Sequence, residues 1–193
     1  HDILKYLQQI NAAANSGFNL LTNLLDWPKT YSEKIKLIPK EINLNKVIQS
    51  VIFNLKNTVS IKNIKINYNP SLDFFVIIDE NMLRTVLRNL ISNAIKFSYK
   101  NAEITISTVE NNDEVMISIK DYGTGIKKDD IEQILNKDIN FTKPGTEYEK
   151  GTGLGLIICK EFIQQWGGTL KIHSEYGSGS NFSFGIPKNV QHN

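Results

Sequence analysis

The sequence predicts an α+β sandwich preceded by one long pairing helix. Three observations predict it. Apolar residues alternate with a period of two in several short runs that group into hairpins, the helical patterns between them follow no βαβ rhythm, and the chain opens on a heptad seam. The chain has 193 residues, 40% hydrophobic and 22% charged, which suits one medium domain plus an appendage. With 22 basic and 20 acidic residues the net charge is +2, and no block of like charge stands out. Neither a nucleic-acid nor a membrane-surface partner is called for. The single cysteine, Cys159, excludes an internal disulfide, fits a reducing compartment and lies in an apolar helical pattern as a packed thiol. No apolar run reaches the length of a membrane span and no signal peptide opens the chain. The start inside a helical pattern implies a cytoplasmic piece of a longer protein, whose parent can be membrane-anchored.

In the opening helix Ile3, Leu7, Ile10, Ala14, Gly17, Leu21 and Leu24 alternate at spacings of four and three. Leu4, Phe18 and Leu25 widen the seam to the stripe of a helical bundle. Such a face needs a second helix or a second chain, so a homodimer through this helix is expected. Pro28 ends or kinks it at Trp27. Residues 1–38 are read as this helix plus a linker, 39–188 as the main domain and 189–193 as a tail.

Within the main domain Asn43 is placed to cap a helix carrying Leu44, Val47, Ile48, Val51, Ile52 and Leu55. Ile64, Ile66 and Tyr68 alternate as a strand, closed by Asn69-Pro70, and Phe74 to Ile78 is an apolar run of strand length. Asp79 caps a long helix through about Phe97. Ile104-Thr108 and Val115-Ile119 flank Asn111-Asn112-Asp113 as a hairpin. A helix near Lys128 to Leu135, a helix from about Gly153 to Trp166, and a last hairpin around Gly177-Ser178-Gly179 complete the order.

On the helix after Asp79, Leu83, Leu87, Leu90, Ile91 and Ala94 lie within one stripe, and Asn89, Asn93, Lys96 and Phe97 share another face. Two carboxamides one turn apart cost helix propensity and gain nothing from a core. Their oxygens suit magnesium, Lys96 suits phosphate, and Phe97 offers an apolar surface to a flat base. By itself this face reads more readily as a solvated one.

Asp121-Tyr122-Gly123-Thr124-Gly125-Ile126 follows a strand. A carboxylate at a strand end can accept from the exocyclic amine of adenine, and the glycines let the backbone approach the ring. Alone the motif is merely a good turn. Gly151-Thr152-Gly153-Leu154-Gly155-Leu156 opens a helix, where N–H groups and a positive dipole end make an anion site. It is neither a Walker loop nor a Rossmann fingerprint. Between the two, residues 136–150 are polar and read as a lid over the phosphates, with Phe141 as its latch. Base carboxylate, phosphate amides and metal amides, in that order, decide for a nucleotide site.

These residues resemble the catalytic and ATP-binding domain of sensor histidine kinases, a branch of the GHKL (Bergerat) fold shared with gyrase, MutL and the heat-shock chaperone ATPases. Asn89 to Phe97 resembles the N box, Asp121 to Ile126 the G1 box, Phe141-Thr142 the F box, and Gly151 to Leu156 the G2 box. Gly167-Gly168-Thr169 through Phe182 is similar to the family's closing segment, and the first helix to the second helix of the dimerisation and phosphotransfer hairpin. The resemblance implies a two-layer sandwich with a mixed sheet and helices on one face. It implies that Asp121 binds adenine, Asn93 holds Mg2+ with Asn89 beside it, Lys96 meets phosphate, Phe97 borders the base, and the amides of Gly151, Thr152, Gly153, Leu154, Gly155 and Leu156 line the phosphates. Asn89 and Lys96 would assist transfer of the γ-phosphoryl group to a histidine, for relay to an aspartate of a response regulator or receiver domain.

Three departures carry consequences. Asn89 stands where the ATPase branches resemble one another in placing a glutamate that activates water, so hydrolysis is expected to be poor. None of the three histidines, His1, His173 and His192, sits where the family places its acceptor, so the fragment is expected not to label itself. Asn181 replaces a threonine expected on the adenine side. The competing readings are another GHKL ATPase or a protein-serine kinase, and a retired ATP-binding interaction module.

Overall fold

The structure, a computed structural model, describes residues 38–136, 142–149 and 151–188. Contacts divide the chain after Leu37, and every described residue belongs to the second unit. The pairing helix, His1 and the tail with His192 lie outside the described residues.

The elements in chain order are β1 (Lys40–Asn43), α1 (Leu44–Asn54), α2 (Lys56–Lys62), β2 (Lys65–Asn67), β3 (Phe75–Ile78), α3 (Glu80–Phe97), β4 (Glu103–Glu110), β5 (Glu114–Asp121), α4 (Lys128–Asn136), α5 (Gly155–Gln165), β6 (Leu170–Glu175) and β7 (Gly179–Pro187). Five strands form one sheet in the order β2-β4-β5-β7-β6. The β2–β4 pair is parallel and the others antiparallel, so the sheet is mixed. The helices pack on it as a second layer, with α3 against α1, α5 and β5. This is the α+β sandwich that the patterning predicts.

The layers follow from alternation. Val115, Ile117, Ile119 and Asp121 of β5 are buried, as are Phe182, Phe184 and Ile186 of β7, while Lys120 is exposed. Against them lie Leu83, Leu87, Leu90 and Ile91 of α3, each with no exposed surface. Side chains of this size each contribute about 1.5–3 kcal/mol on burial, so α3 is held by its apolar stripe and not by its own propensity. Asn43 and Asp79 cap α1 and α3 as their spacing predicts, Asp79 accepting from the amides of Asn81 and Met82.

Two elements depart from the expectation. β1 falls where the sequence reads as the end of a linker, because four residues with one buried side chain carry no clear alternation. It is a strand through pairing with β3, Ile42 opposite Val76, in a small separate sheet. A second helix, α2, follows α1 after a break at Leu55 and ends on Asn63 in the left-handed region, at φ 50°.

Candidate functional site

The site is organised around α3, and above all around its C-terminal end. An α-helix leaves its last carbonyls without partners. Here they are taken up by three remote parts of the chain. Thr124 of the first glycine loop donates its N–H to Phe97 O at 3.1 Å, and Thr146 donates its N–H to Lys96 O at 3.1 Å. The Lys62 ammonium reaches Ile95 O at 3.0 Å and Lys96 O at 2.8 Å. The same helix turns Asn89, Asn93, Lys96 and Phe97, all half-buried, away from the core.

Asp121 is the last residue of β5, between Ile104 of β4 and Ser180 of β7. It is buried, accepts the Gly123 N–H at 2.9 Å and is hydrogen-bonded by the Ser180 backbone. Burial pushes its carboxyl up to about 6, with these two backbone hydrogen bonds pulling the other way. The carboxylate is thus poised near neutrality and keeps acceptor capacity for a ligand.

The loop after it is clamped from two sides. A Cβ on Gly123 would lie 2.0 Å from Phe97 O, and one on Gly125 2.0 Å from Glu175 O. Gly125 also sits at φ +63°, which only glycine adopts without strain. Gly177 donates its N–H to Thr124 O at 2.8 Å, and Ile126 donates its N–H to the Ser174 hydroxyl at 2.8 Å. Ser174 in turn donates to Gly179 O at 2.7 Å. The β6–β7 turn therefore holds the first glycine loop against α3.

The second glycine cluster runs into α5, whose N-terminus has no side-chain cap. The N–H of Leu154, at the cap position, makes a 3.4 Å contact with the Thr152 hydroxyl, and Leu156 is half-buried in the first turn. Gly153 is in the left-handed region at φ 77°, and a Cβ on Gly155 would stand 3.3 Å from Asn89 Oδ1. Asn89 Nδ2 is buried, and the Asn89 side chain lies within hydrogen-bonding reach of the Cys159 sulfur. Gly151 lies against the Lys96 ammonium and the Thr142 hydroxyl, which donates to Gly151 O at 3.2 Å. Lys96 Nζ donates to Lys143 O at 2.9 Å and stands 4.8 Å from the centre of the Phe97 ring. Burial holds the Lys96 amine below its ordinary value, with Glu149 opposing that and Lys62 adding to it.

The expected site residues are thus brought together along one helix face and its two flanking loops. Phe141 lies outside the described residues. The register takes Asn181 off the adenine side, in keeping with its replacement of the threonine. Asn181 pairs with Lys120, on the face opposite Asp121, and accepts from the Ser118 hydroxyl at 2.5 Å. The neighbour of Asp121 is Ser180, one residue earlier. Lys62 and Thr146 carried no sequence signal. A lysine at a helix end and a threonine in a polar loop look like solvated residues, and only the fold turns them inward. Cys159 is fully buried and its thiol is pushed up to about 12, so it is a packing residue.

The profile of the family described as histidine kinase-, DNA gyrase B- and HSP90-like ATPases matches residues 78–190. The chain belongs to this family. Sensor histidine kinase WalK of Bacillus subtilis is 39% identical over 120 residues, covering 61% of this chain and 20% of WalK. Hybrid signal transduction histidine kinase B of Dictyostelium discoideum is 28% identical over 189 residues, 95% of this chain and 10% of that protein. The catalytic domain of histidine kinase ThkA superposes with a TM-score of 0.68 at 30% identity, over 78% of this chain and 98% of that domain. ThkA in complex with the response regulator protein TrrA gives 0.76 at 26% identity, over 95% of this chain and 52% of that one. The chain spans a fifth or less of the length of these curated relatives. Its second unit is an ATP-binding catalytic domain of the histidine-kinase kind. The chemistry of the site agrees: a buried carboxylate for a base, a glycine cradle that a Cβ would fill, and an uncapped helix start fit a nucleotide. Among the described residues no three carboxylates, histidines or cysteines cluster as a metal site.

Proposed function

We propose that this chain binds MgATP and transfers the γ-phosphoryl group to a histidine imidazole on a helical bundle, for relay to a receiver-domain aspartate. Asp121 accepts from the adenine amine, Gly123, Gly125 and Ile126 shape the loop at its edge, and Phe97 borders the ring. The amides from Gly151 to Leu156 take the phosphates, Thr142 supports that loop, and Lys96 neutralises charge. Asn93, with Asn89 beside it, holds Mg2+, which supplies further neutralisation of the triphosphate. In the transfer the imidazole nitrogen forms the bond to phosphorus as the bond to the bridging oxygen breaks, and ADP leaves.

The observation that carries this reading is the amide of Asn89 beside Gly155. A hydrolysing site needs a carboxylate there to take a proton from water, and an amide cannot take it at neutral pH. The intact protein is proposed to act as a homodimer through the first helix, on the cytoplasmic side, with a receiver domain as partner; ThkA is solved with such a regulator. No described helix is long and apolar enough to cross a membrane.

Calorimetric titration with ATP tests the reading, with and without magnesium. Wild type is expected to bind more tightly with the metal, and Asn93→Ala to lose most of that difference. Superimposable metal titrations for the two would remove Asn93 from the metal site. With radiolabelled ATP the chain is expected to take no label by itself and to label a bundle hairpin added in trans. Rapid release of inorganic phosphate instead would favour the ATPase branches.

A further inference from the structure

Lys62 is the last residue of α2, and the left-handed turn at Asn63 sends the chain on into β2 while its side chain runs inward. The side chain is only 4% exposed, and a buried charge must be matched by its surroundings. Five oxygens match it. Three are main-chain carbonyls at the end of α3: Ile95 at 3.0 Å, Lys96 at 2.8 Å and Ser98 at 3.3 Å. Two belong to the 142–149 turn: Thr146 Oγ1 at 2.8 Å and Glu149 Oε1 at 2.6 Å.

An ammonium carries three protons, so the helix carbonyls alone could use them all. The lid-side hydroxyl and carboxylate are held by the charge as well as by directed bonds. We propose that Lys62 is a positioning residue: its ammonium clamps the 142–149 turn to the end of α3 and thereby sets how firmly the site grips phosphate. The proposal rests on the nucleotide reading above.

The clamp acts on the phosphate half alone. The turn it holds carries Thr142, bonded to Gly151 O, and the Lys143 carbonyl, bonded to the Lys96 ammonium. If the turn lifts, Lys96 and the Gly151 loop lose their supports together. The adenine half is held elsewhere, through Thr124 on Phe97 O and Ile126 on Ser174. The nearby Lys100–Glu147 pair is exposed on both sides and adds little to the anchor.

Two measurements on the 193-residue chain test this: hydrogen exchange of peptides covering 142–149, and affinities for ATP and for adenosine by competition. In Lys62→Met the turn is expected to exchange about tenfold faster with β4, β5 and β7 unchanged, ATP to bind about tenfold more weakly, and adenosine to stay within about twofold. Glu149→Gln is expected to show the same pattern at about threefold. Parallel loss of ATP and adenosine, or unchanged ATP affinity with unchanged exchange, overturns the clamp. Should Lys62→Met fail to fold, Glu149→Gln decides by the same criteria. A wild-type chain that binds neither ligand would instead defeat the nucleotide reading, and the exchange of the turn in the variants would still show whether the anchor exists.

Discussion

Asp121→Asn is expected to weaken ATP binding by about ten- to a hundredfold, the scale of a lost charge-assisted hydrogen bond, while making the empty domain more stable at pH 7.5. The two effects have one cause. Burial raises this carboxyl from 3.8 to about 6, so between those values the folded chain binds more protons than the unfolded one. Stability therefore falls as pH rises through that window, and the full cost is present above about pH 6. A rise of this size corresponds to about 3 kcal/mol. The amide can still accept from Gly123 without carrying the charge, so a net gain of about 1–2 kcal/mol is expected. In a domain of this size that raises the thermal midpoint by about 2–8 °C. At pH 4 the advantage should vanish, because the native carboxyl is then protonated. A variant no more stable at pH 7.5 than at pH 4, relative to wild type, would contradict this account of the site. A ligand amine donating to the carboxylate favours its ionised form, so wild-type ATP affinity is expected to fall as pH drops below about 6.

Gly123→Ala is expected to be the more destructive substitution. The added Cβ would meet Phe97 O at 2.0 Å, Phe97 C at 2.6 Å and Ser98 Cα at 2.9 Å, all of them backbone. No side-chain rotation relieves such a clash. The loop must lift off α3, which breaks the Thr124 to Phe97 hydrogen bond and the Gly123 bond to Asp121. We expect a loss of about 3–4 kcal/mol in chemical denaturation and no measurable ATP binding. Gly177→Ala separates crowding from backbone strain. Nothing lies within 4 Å of its Cβ position, but φ is +88°. It should cost about 1 kcal/mol and leave ATP binding near wild type. Equal losses in the two variants would mean that the close packing of the first glycine loop on α3 is not what holds it.

Much of this arrangement is legible in the chain itself, because its signals are local. The apolar stripe of α3 and the polar face that carries Asn89, Asn93, Lys96 and Phe97 follow from a period of 3.6 residues. The caps at Asn43 and Asp79 and the alternation of β4, β5 and β7 are equally short-range. The glycine clusters are legible because a chain seldom spends glycine at such spacing unless its backbone must come close to something. Asp121 is legible as a carboxylate at the end of a strand.

What the chain does not show are the contacts that converge from a distance. β1 exists because Ile42 meets Val76 across a gap that no local pattern marks. Ser180, and not Asn181, adjoins Asp121 because strand register decides which residue faces the helices. The amino-acid sequence by itself determined the nucleotide motifs, the elements that bear them and the family resemblance. The tertiary structure alone decided that Thr124, Thr146 and Lys62 meet at the end of α3. Lys62 and Thr146 are 84 residues apart, and neither obeys any local rule. They meet because the exposed carbonyls of a buried helix end must be satisfied, and only the folded chain supplies the partners.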